Sequence, residues 1–173
     1  ETLSEWELPY AKWYLGGTLN VAYNCVDRHV EAGLGERVAY HWEGEPGDTR
    51  TVTYSDLQRA VVRMANALKE LGVRKGTPVA IYMGMIPELA VAMLACTRLG
   101  APHTVVFGGF SADSLSDRAN DMGCEVLITQ DEAWRRGTTV PLKQTADAAM
   151  ADAPGIRACL VVQRTGNDVP MQD

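Results

Sequence analysis

Basic charge, metal-ligand spacings and long apolar runs are scarce in this sequence, and each gap closes off a class of function. Sixteen Lys and Arg against 22 Asp and Glu leave a net charge of −6, so no cationic face offers itself to a phosphate backbone and nucleic acid is not an expected partner. The longest strongly apolar stretch, from Ile86 to Cys96, is interrupted by Pro87 and Glu88 and falls short of the roughly 20 residues that span a bilayer, which argues against a membrane protein. The opening run ETLSEWELPYAKW has acids and aromatics where a secretory signal would place a basic and then an apolar region, so the expected compartment is the cytoplasm. Cys25, Cys96, Cys124 and Cys159 lie far apart, with no CxxC pair and no histidine at a ligand spacing, and they read as reduced thiols of the core. His29, His41 and His103 each stand alone in an apolar-patterned element and read as structural.

What is present is the composition of a folded domain: 46% hydrophobic and 22% charged residues, too apolar for a disordered chain. A chain of 173 residues buries roughly 70% of its unfolded surface, enough for one core. Val21, Cys25, Val26, His29 and Val30 share a face of a short amphipathic helix that Gly33 and Gly35 end. RVAYHWEG and TRTVTY predict two strands reversing at EPGD. Ser55 and Gln58 have the spacing of a capping box, and Leu57, Val61, Met64, Leu68 and Leu71 follow at helical spacing up to Gly72. Val79–Met83 predicts a strand covered on both faces, and Pro87–Leu99, apolar nearly all round and closed by Gly100, a deeply packed helix. Strand His103–Phe107, helix Ser111 to about Asp121, strand Glu125–Thr129, helix Thr145–Met150 and strand Ala158–Gln163 then alternate. The expected fold is therefore three-layer α/β, a mostly parallel sheet flanked by helices, with an amino-terminal helix and β-hairpin.

Two segments are candidate sites. In VVFGGFS, Val105–Ser111, a buried strand runs into paired glycines and a Ser-capped helix, so backbone N–H groups at the tip can hold an anion or let a flat ring approach; the same glycines also suit a plain tight turn, and the run is neither GxGxxG nor GxxxxGK[ST]. The segment QDEAWRRGTTVPLKQ is long for a strand–helix connection and carries Arg135, Arg136 and Lys143, either a phosphate grip or a solvated basic tip. Asp113, Asp117, Arg118 and Asp121 look like the polar face of one helix, and no Ser/His/Asp or Cys/His pairing follows from spacing.

The runs AKWYLGGTLNVAYNCVDRHVEAG, HWEGEPGDTRTVTYSDL, MIPELAVAMLACTRLGAPHTVVFGGFSADSLSDR and LITQDEAWRRGTTVPLK resemble the acetyl-CoA synthetases of the adenylate-forming ligase superfamily over essentially the whole chain. The resemblance implies the first subdomain of such a ligase's large domain. It implies a two-step reaction in which acetate and ATP, with Mg2+, form acetyl adenylate and pyrophosphate, and the thiol of CoA then displaces AMP. The family's phosphate loop, acetate pocket, ribose-binding aspartate and catalytic lysine have no counterpart in these 173 residues, so no catalytic or metal-binding residue is assigned and Mg2+ is expected outside them. Part of the CoA site carries over: Phe107, Gly108 and Gly109, which in the family lie against the CoA nucleotide, and Arg135, with Arg136 beside it. Gly137 supports that alignment. Where the family has Arg or Lys after this glycine the chain has Thr138, which leaves Lys143 or Arg136 as substitutes for a second phosphate contact. Gly84 stands where the family usually has proline, and predicts a looser turn.

The resemblance implies acetate, ATP and CoA as small-molecule partners, together with the rest of the same polypeptide: Glu1 in place of Met and the unpatterned RTGNDVPMQD suggest a piece of a longer chain. Residues 1–36 read as an extension and helix, 37–163 as the α/β subdomain and 164–173 as a truncated loop. A propionyl-CoA synthetase, or another short-chain acyl-CoA ligase, remains open because acyl length is read elsewhere. So does a free-standing nucleotide-binding regulatory module.

Overall fold

A computed structural model of the chain describes residues 3–171. It opens with a hairpin absent from the sequence reading, β1 (Leu3–Glu7) against β2 (Tyr10–Trp13). Trp6, Tyr10 and Trp13 are exposed, so no buried face imposes the alternation by which a strand is recognised.

The helix after Asn20 forms, but its turns are π-wound over Tyr23–Asp27 and Val30–Leu34. Wider turns move the buried face. Ala22, Val26 and Asp27 are buried, whereas Val21 and Cys25, which a 3.6-residue period places inward, are exposed. Cys25 is therefore not a core thiol. Cys96 and Cys124 are, and burial pushes them up to about 12 and about 11, with half-buried Cys159 at about 11. Arg98 Nη2 donates to both Asp27 oxygens at 2.6 Å and Gln58 Nε2 to Oδ1 at 2.8 Å. Burial raises the Asp27 carboxyl, but these hydrogen bonds and the Arg98 charge outweigh it and hold the group below its ordinary value.

Strands β3 (Val38–Glu43) and β4 (Thr49–Thr53) form the expected antiparallel hairpin. Helix α1 (Tyr54–Glu70) follows without a break, so its cap falls earlier than the sequence suggests. Thr53 is the last extended residue; its Oγ1 accepts from the Asp56 N–H at 3.1 Å and Asp56 Oδ2 accepts from the Thr53 N–H at 3.2 Å. The capping box is Thr53/Asp56, not Ser55/Gln58.

The α/β body continues with β5 (Val79–Met83), α2 (Pro87–Leu99), β6 (His103–Phe107), α3 (Ala112–Met122) and β7 (Val126–Gln130). Next come β8 (Ala133–Arg135), β9 (Thr138–Val140), α4 (Leu142–Ala151) and β10 (Ala158–Val162). The segment expected as a long loop thus contains a small hairpin, β8 with β9, and the first turn of α4.

Strands β10, β7, β5 and β6 lie in that order in one parallel sheet. All residues of β5 and β7 are buried, which is why their sequences do not alternate. The alternation reappears in what they touch. Val79, Ile81, Met83, Val126 and Ile128 pack with α1 and α2, whereas Ala80, Tyr82 and Leu127 pack with α3 and α4. Two apolar layers around one sheet give the three-layer body. Helix α2 buries only part of its circumference: Leu89, Val91, Ala92, Ala95 and Cys96 face the core, while Met93 is 38% exposed. No helix among the described residues is long and apolar enough to cross a membrane.

Candidate functional site

The chain leaves β5 through α2 to reach β6 on one side, then passes through α3 to β7 on the other. The connections that leave the neighbouring strands β5 and β7 run in opposite directions, to β6 and to β10, and open a crevice at the carboxyl ends of the strands, the usual seat of a ligand in an open α/β sheet. A cavity of ≈ 270 Å³ lies there. Gly84, Met85 and Ile86 after β5, Phe107 and Gly108 at the end of β6, and Gln130 at the end of β7 form its floor. Trp134 and Arg135 of β8, Trp42 to Glu45 at the tip of the β3–β4 hairpin, and Arg164 beyond β10 form its walls. A larger cavity, ≈ 630 Å³, opens between the β3–β4 hairpin and helices α1 and α2. Its Arg50 and Arg59 are paired with Glu88 and Asp56, while Arg63, which also lines it, has no carboxylate partner among the described ion pairs.

The floor is fixed by hydrogen bonds. Tyr82, buried in β5, donates its hydroxyl to the Phe110 carbonyl at 2.8 Å, and the Phe110 N–H closes a turn onto the Phe107 carbonyl at 2.9 Å. Gly108 packs against β5: a Cβ there would stand 3.1 Å from the Met83 carbonyl and 3.2 Å from Leu142 Cδ1. Gly84 is not loose. Its N–H donates to Oε1 of the fully buried Gln130 at 2.8 Å, a bond that proline could not make.

Gly109 lies beneath Arg135. A Cβ on Gly109 would fall on Arg135 Nη1 and stand 2.7 Å from Phe107 Cε1. The Arg135 guanidinium carbon lies 5.2 Å from the Phe107 ring centroid, a cation–π stack. The lack of a side chain at Gly109 thus leaves room for the arginine.

Two cations line the cavity, and they differ. Arg164 is bound by Asp48, Nη1 to Oδ2 at 2.9 Å and Nη2 to Oδ1 at 3.0 Å, and stacks 5.3 Å from the Trp42 ring. Those hydrogen bonds hold the Asp48 carboxyl below its ordinary value, so the Arg164 charge is matched. Arg135 has no carboxylate partner among the described ion pairs, and its guanidinium fork is free to receive an anion. With the rings of Trp42, Phe107 and Trp134 around it, the cavity suits a ligand that joins a flat ring to a phosphate.

Segment 164–170 is tied back to the end of β7 and to α4. Asp131, 2% exposed, accepts the N–H groups of Glu132, Arg164, Thr165 and Gly166 at 2.7–3.0 Å. Burial raises this carboxyl, but the four N–H groups outweigh it and hold it below its ordinary value. Lys143, 3% exposed, donates to both Asp147 oxygens and to the Pro170 carbonyl. Its charge is thereby matched, which removes it as a substitute for the cation absent at Thr138. Arg136 is exposed at the hairpin tip with φ +54° and does not line the cavity.

Phe107, Gly108, Gly109 and Arg135, chosen from the sequence, thus converge. Trp42, Glu45, Gln130 and Arg164 were missed, for their places in a hairpin turn, a strand end and an unpatterned tail carry no local signal.

The profile of the AMP-binding enzyme family matches residues 26–172. The chain is 58% identical to an acetyl-coenzyme A synthetase of Streptomyces coelicolor over 173 residues, all of this chain and 27% of that protein. Its identity to the acetyl-coenzyme A synthetase of Gemmatimonas aurantiaca is 57%, over 97% of the chain and 26% of the relative. To that of Methanothrix thermoacetophila it is 52%, over 98% and 26%. The chain spans about a quarter of the length of these relatives. With a profile match over most of its length, the chain belongs to the AMP-binding enzyme family.

Proposed function

We propose that this chain is part of an AMP-forming acetate:CoA ligase, which makes acetyl-CoA from acetate, ATP and CoA through acetyl adenylate, and that its cavity receives the nucleotide end of CoA. The observation that carries the reading is Arg135: an unmatched cation stacked on Phe107, at the carboxyl ends of parallel strands, within a lining of three aromatic rings. The names of relatives with 50–58% identity support the reaction.

In this reading Arg135 binds the 3′-phosphate and an aromatic wall receives the adenine. A volume of ≈ 270 Å³ is below the roughly 300–1,000 Å³ of whole-ligand pockets, so one end of CoA enters while the pantetheine arm runs out to the reacting centre. This chain then contributes CoA capture and none of the adenylation chemistry, and it is inactive alone. Mg2+ with ATP is assigned to the remainder of the polypeptide, as the resemblance implies.

The test is Arg135→Ala in the full-length enzyme. Loss of an exposed charge-assisted contact should raise KM for CoA about fivefold to thirtyfold. ATP–pyrophosphate exchange, which precedes CoA, should keep its rate. Dephospho-CoA should be used equally by both proteins. A normal KM for CoA, or lost exchange, would overturn the assignment.

A further inference from the structure

The tip of the β8–β9 hairpin is built to bind an anion, and the protein puts one of its own there. Arg135 and Thr138 pair across the hairpin, so Arg136 and Gly137 alone form the turn, with φ of +54° and +77°. Turns of this kind leave the N–H of their second residue outside the strand ladder. The Gly137 N–H points instead to Glu45, whose Oε1 accepts it at 2.5 Å from 92 residues away.

Glu45 is presented from a fixed base. Its turn is closed by the Gly44 N–H on the Asp48 carbonyl at 2.7 Å and the Gly47 N–H on the Gly44 carbonyl at 2.8 Å. Arg164 holds Asp48 from the far side of the same turn. Gly44 itself has no room for a Cβ, which would stand 2.7 Å from the Trp42 ring and 3.0 Å from Arg164 Nη2. The carboxylate therefore arrives at the cavity mouth two residues from Arg135, in the region where a phosphate held by Arg135 must sit.

We propose that Glu45 is a specificity-determining residue of this cleft: its carboxylate competes with the ligand's phosphate for the hairpin tip. This rests on the reading of the cleft as a CoA site. Since Asp48 matches the Arg164 charge, Arg135 and Glu45, which both line the cavity, set the charge that an incoming phosphate meets there. Only a group that binds Arg135 better than the carboxylate repels it gains affinity. Because the repulsion grows with the charge of the incoming group, Glu45 narrows the advantage that Arg135 gives a dianionic phosphate over a singly charged or neutral group at the same place.

Glu45→Gln separates charge from structure, because its amide oxygen can still accept the Gly137 N–H while the repulsion is gone. In the full-length enzyme this variant should lower KM for CoA about threefold to fivefold at low ionic strength. The gain should shrink in high salt and be absent with dephospho-CoA. Glu45→Ala, which loses the bridge as well, should show the same phosphate-dependent gain diminished by a looser hairpin. An unchanged or raised KM for CoA in Glu45→Gln, or an equal change with dephospho-CoA, overturns the proposal. The two readings fail differently. If wild type does not distinguish CoA from dephospho-CoA and Arg135→Ala is neutral, the CoA site itself is wrong. If Arg135→Ala abolishes that distinction while Glu45→Gln does nothing, only the competition is refuted.

Discussion

Asp131→Asn tests how the wall beyond β10 is held in place. Asp131 Oδ1 accepts from the Glu132 and Arg164 N–H groups at 2.7 and 2.8 Å, and Oδ2 from those of Thr165 and Gly166 at 3.0 and 2.9 Å. Asparagine has the same shape, but whichever way its amide turns, an NH2 group meets two donors. Each hydrogen bond to a charged acceptor contributes about 1.5–3 kcal/mol, so two lost bonds cost about 3–6 kcal/mol if the segment stays in place. Release of 164–166 is the cheaper response. Hydrogen exchange should read it directly: the amides of Arg164, Thr165 and Gly166 lose protection on the order of a hundredfold or more, while those of β5 and β7 keep theirs. The pH dependence has a definite sign. The folded carboxyl lies below its ordinary 3.8, so its contribution is complete above that value and is lost as pH falls through the lowered folded one. Wild-type protection factors at these amides should therefore fall in acid below about pH 4, and those of the Asn variant should stay flat. Unchanged protection in Asp131→Asn would refute the argument that this carboxylate holds the segment.

Two further outcomes follow from close contacts. Gly109→Ala places a methyl group on Arg135 and against Phe107; displacement of the guanidinium should raise KM for CoA about threefold to tenfold without affecting ATP–pyrophosphate exchange, and a normal KM would mean that Arg135 need not lie on Phe107. Thr53→Ala removes the observed helix cap and should destabilise the protein by about 1 kcal/mol in denaturant unfolding, whereas Ser55→Ala should cost less than about 0.5 kcal/mol. The reverse order would restore the cap that the sequence suggested.

The elements legible in the sequence are those whose signals are local. Pro87 and Gly100 bracket α2, Ser111 caps α3, and the unbroken apolar runs of β5 and β7 announce strands covered on both faces. The misreadings have the same physical root. A periodicity argument assumes 3.6 residues per turn, and the π-wound turns after Asn20 turned Cys25 outward. A spacing argument cannot tell which of two capping pairs ends a strand, so Ser55/Gln58 was indistinguishable from Thr53/Asp56 until β4 was seen to run directly into α1.

The cleft divides along the same line. The apolar run before the glycine pair, expected as a buried strand, is the half-exposed edge strand β6. That glycine pair and the arginines in an overlong connection are visible within a few residues, but it is the family resemblance that picks out Phe107, Gly108, Gly109 and Arg135. Whether Arg135 is available to an anion is not visible there, because availability depends on what its neighbours are paired with. Lys143 looks as free as Arg135 in sequence, yet Asp147 one turn along and the Pro170 carbonyl match its charge. Arg164 looks like part of a tail, yet Asp131 places its backbone and Asp48 neutralises its guanidinium. Four cations stand within the two candidate segments and the tail, and pairing and position remove three: Lys143 and Arg164 by their carboxylates, Arg136 by its place outside the cavity. Selection by pairing and position leaves Arg135 as the anion receptor we propose. It also makes Glu45 consequential, since around a single unmatched cation the addition or removal of one nearby negative charge changes the balance that a phosphate meets.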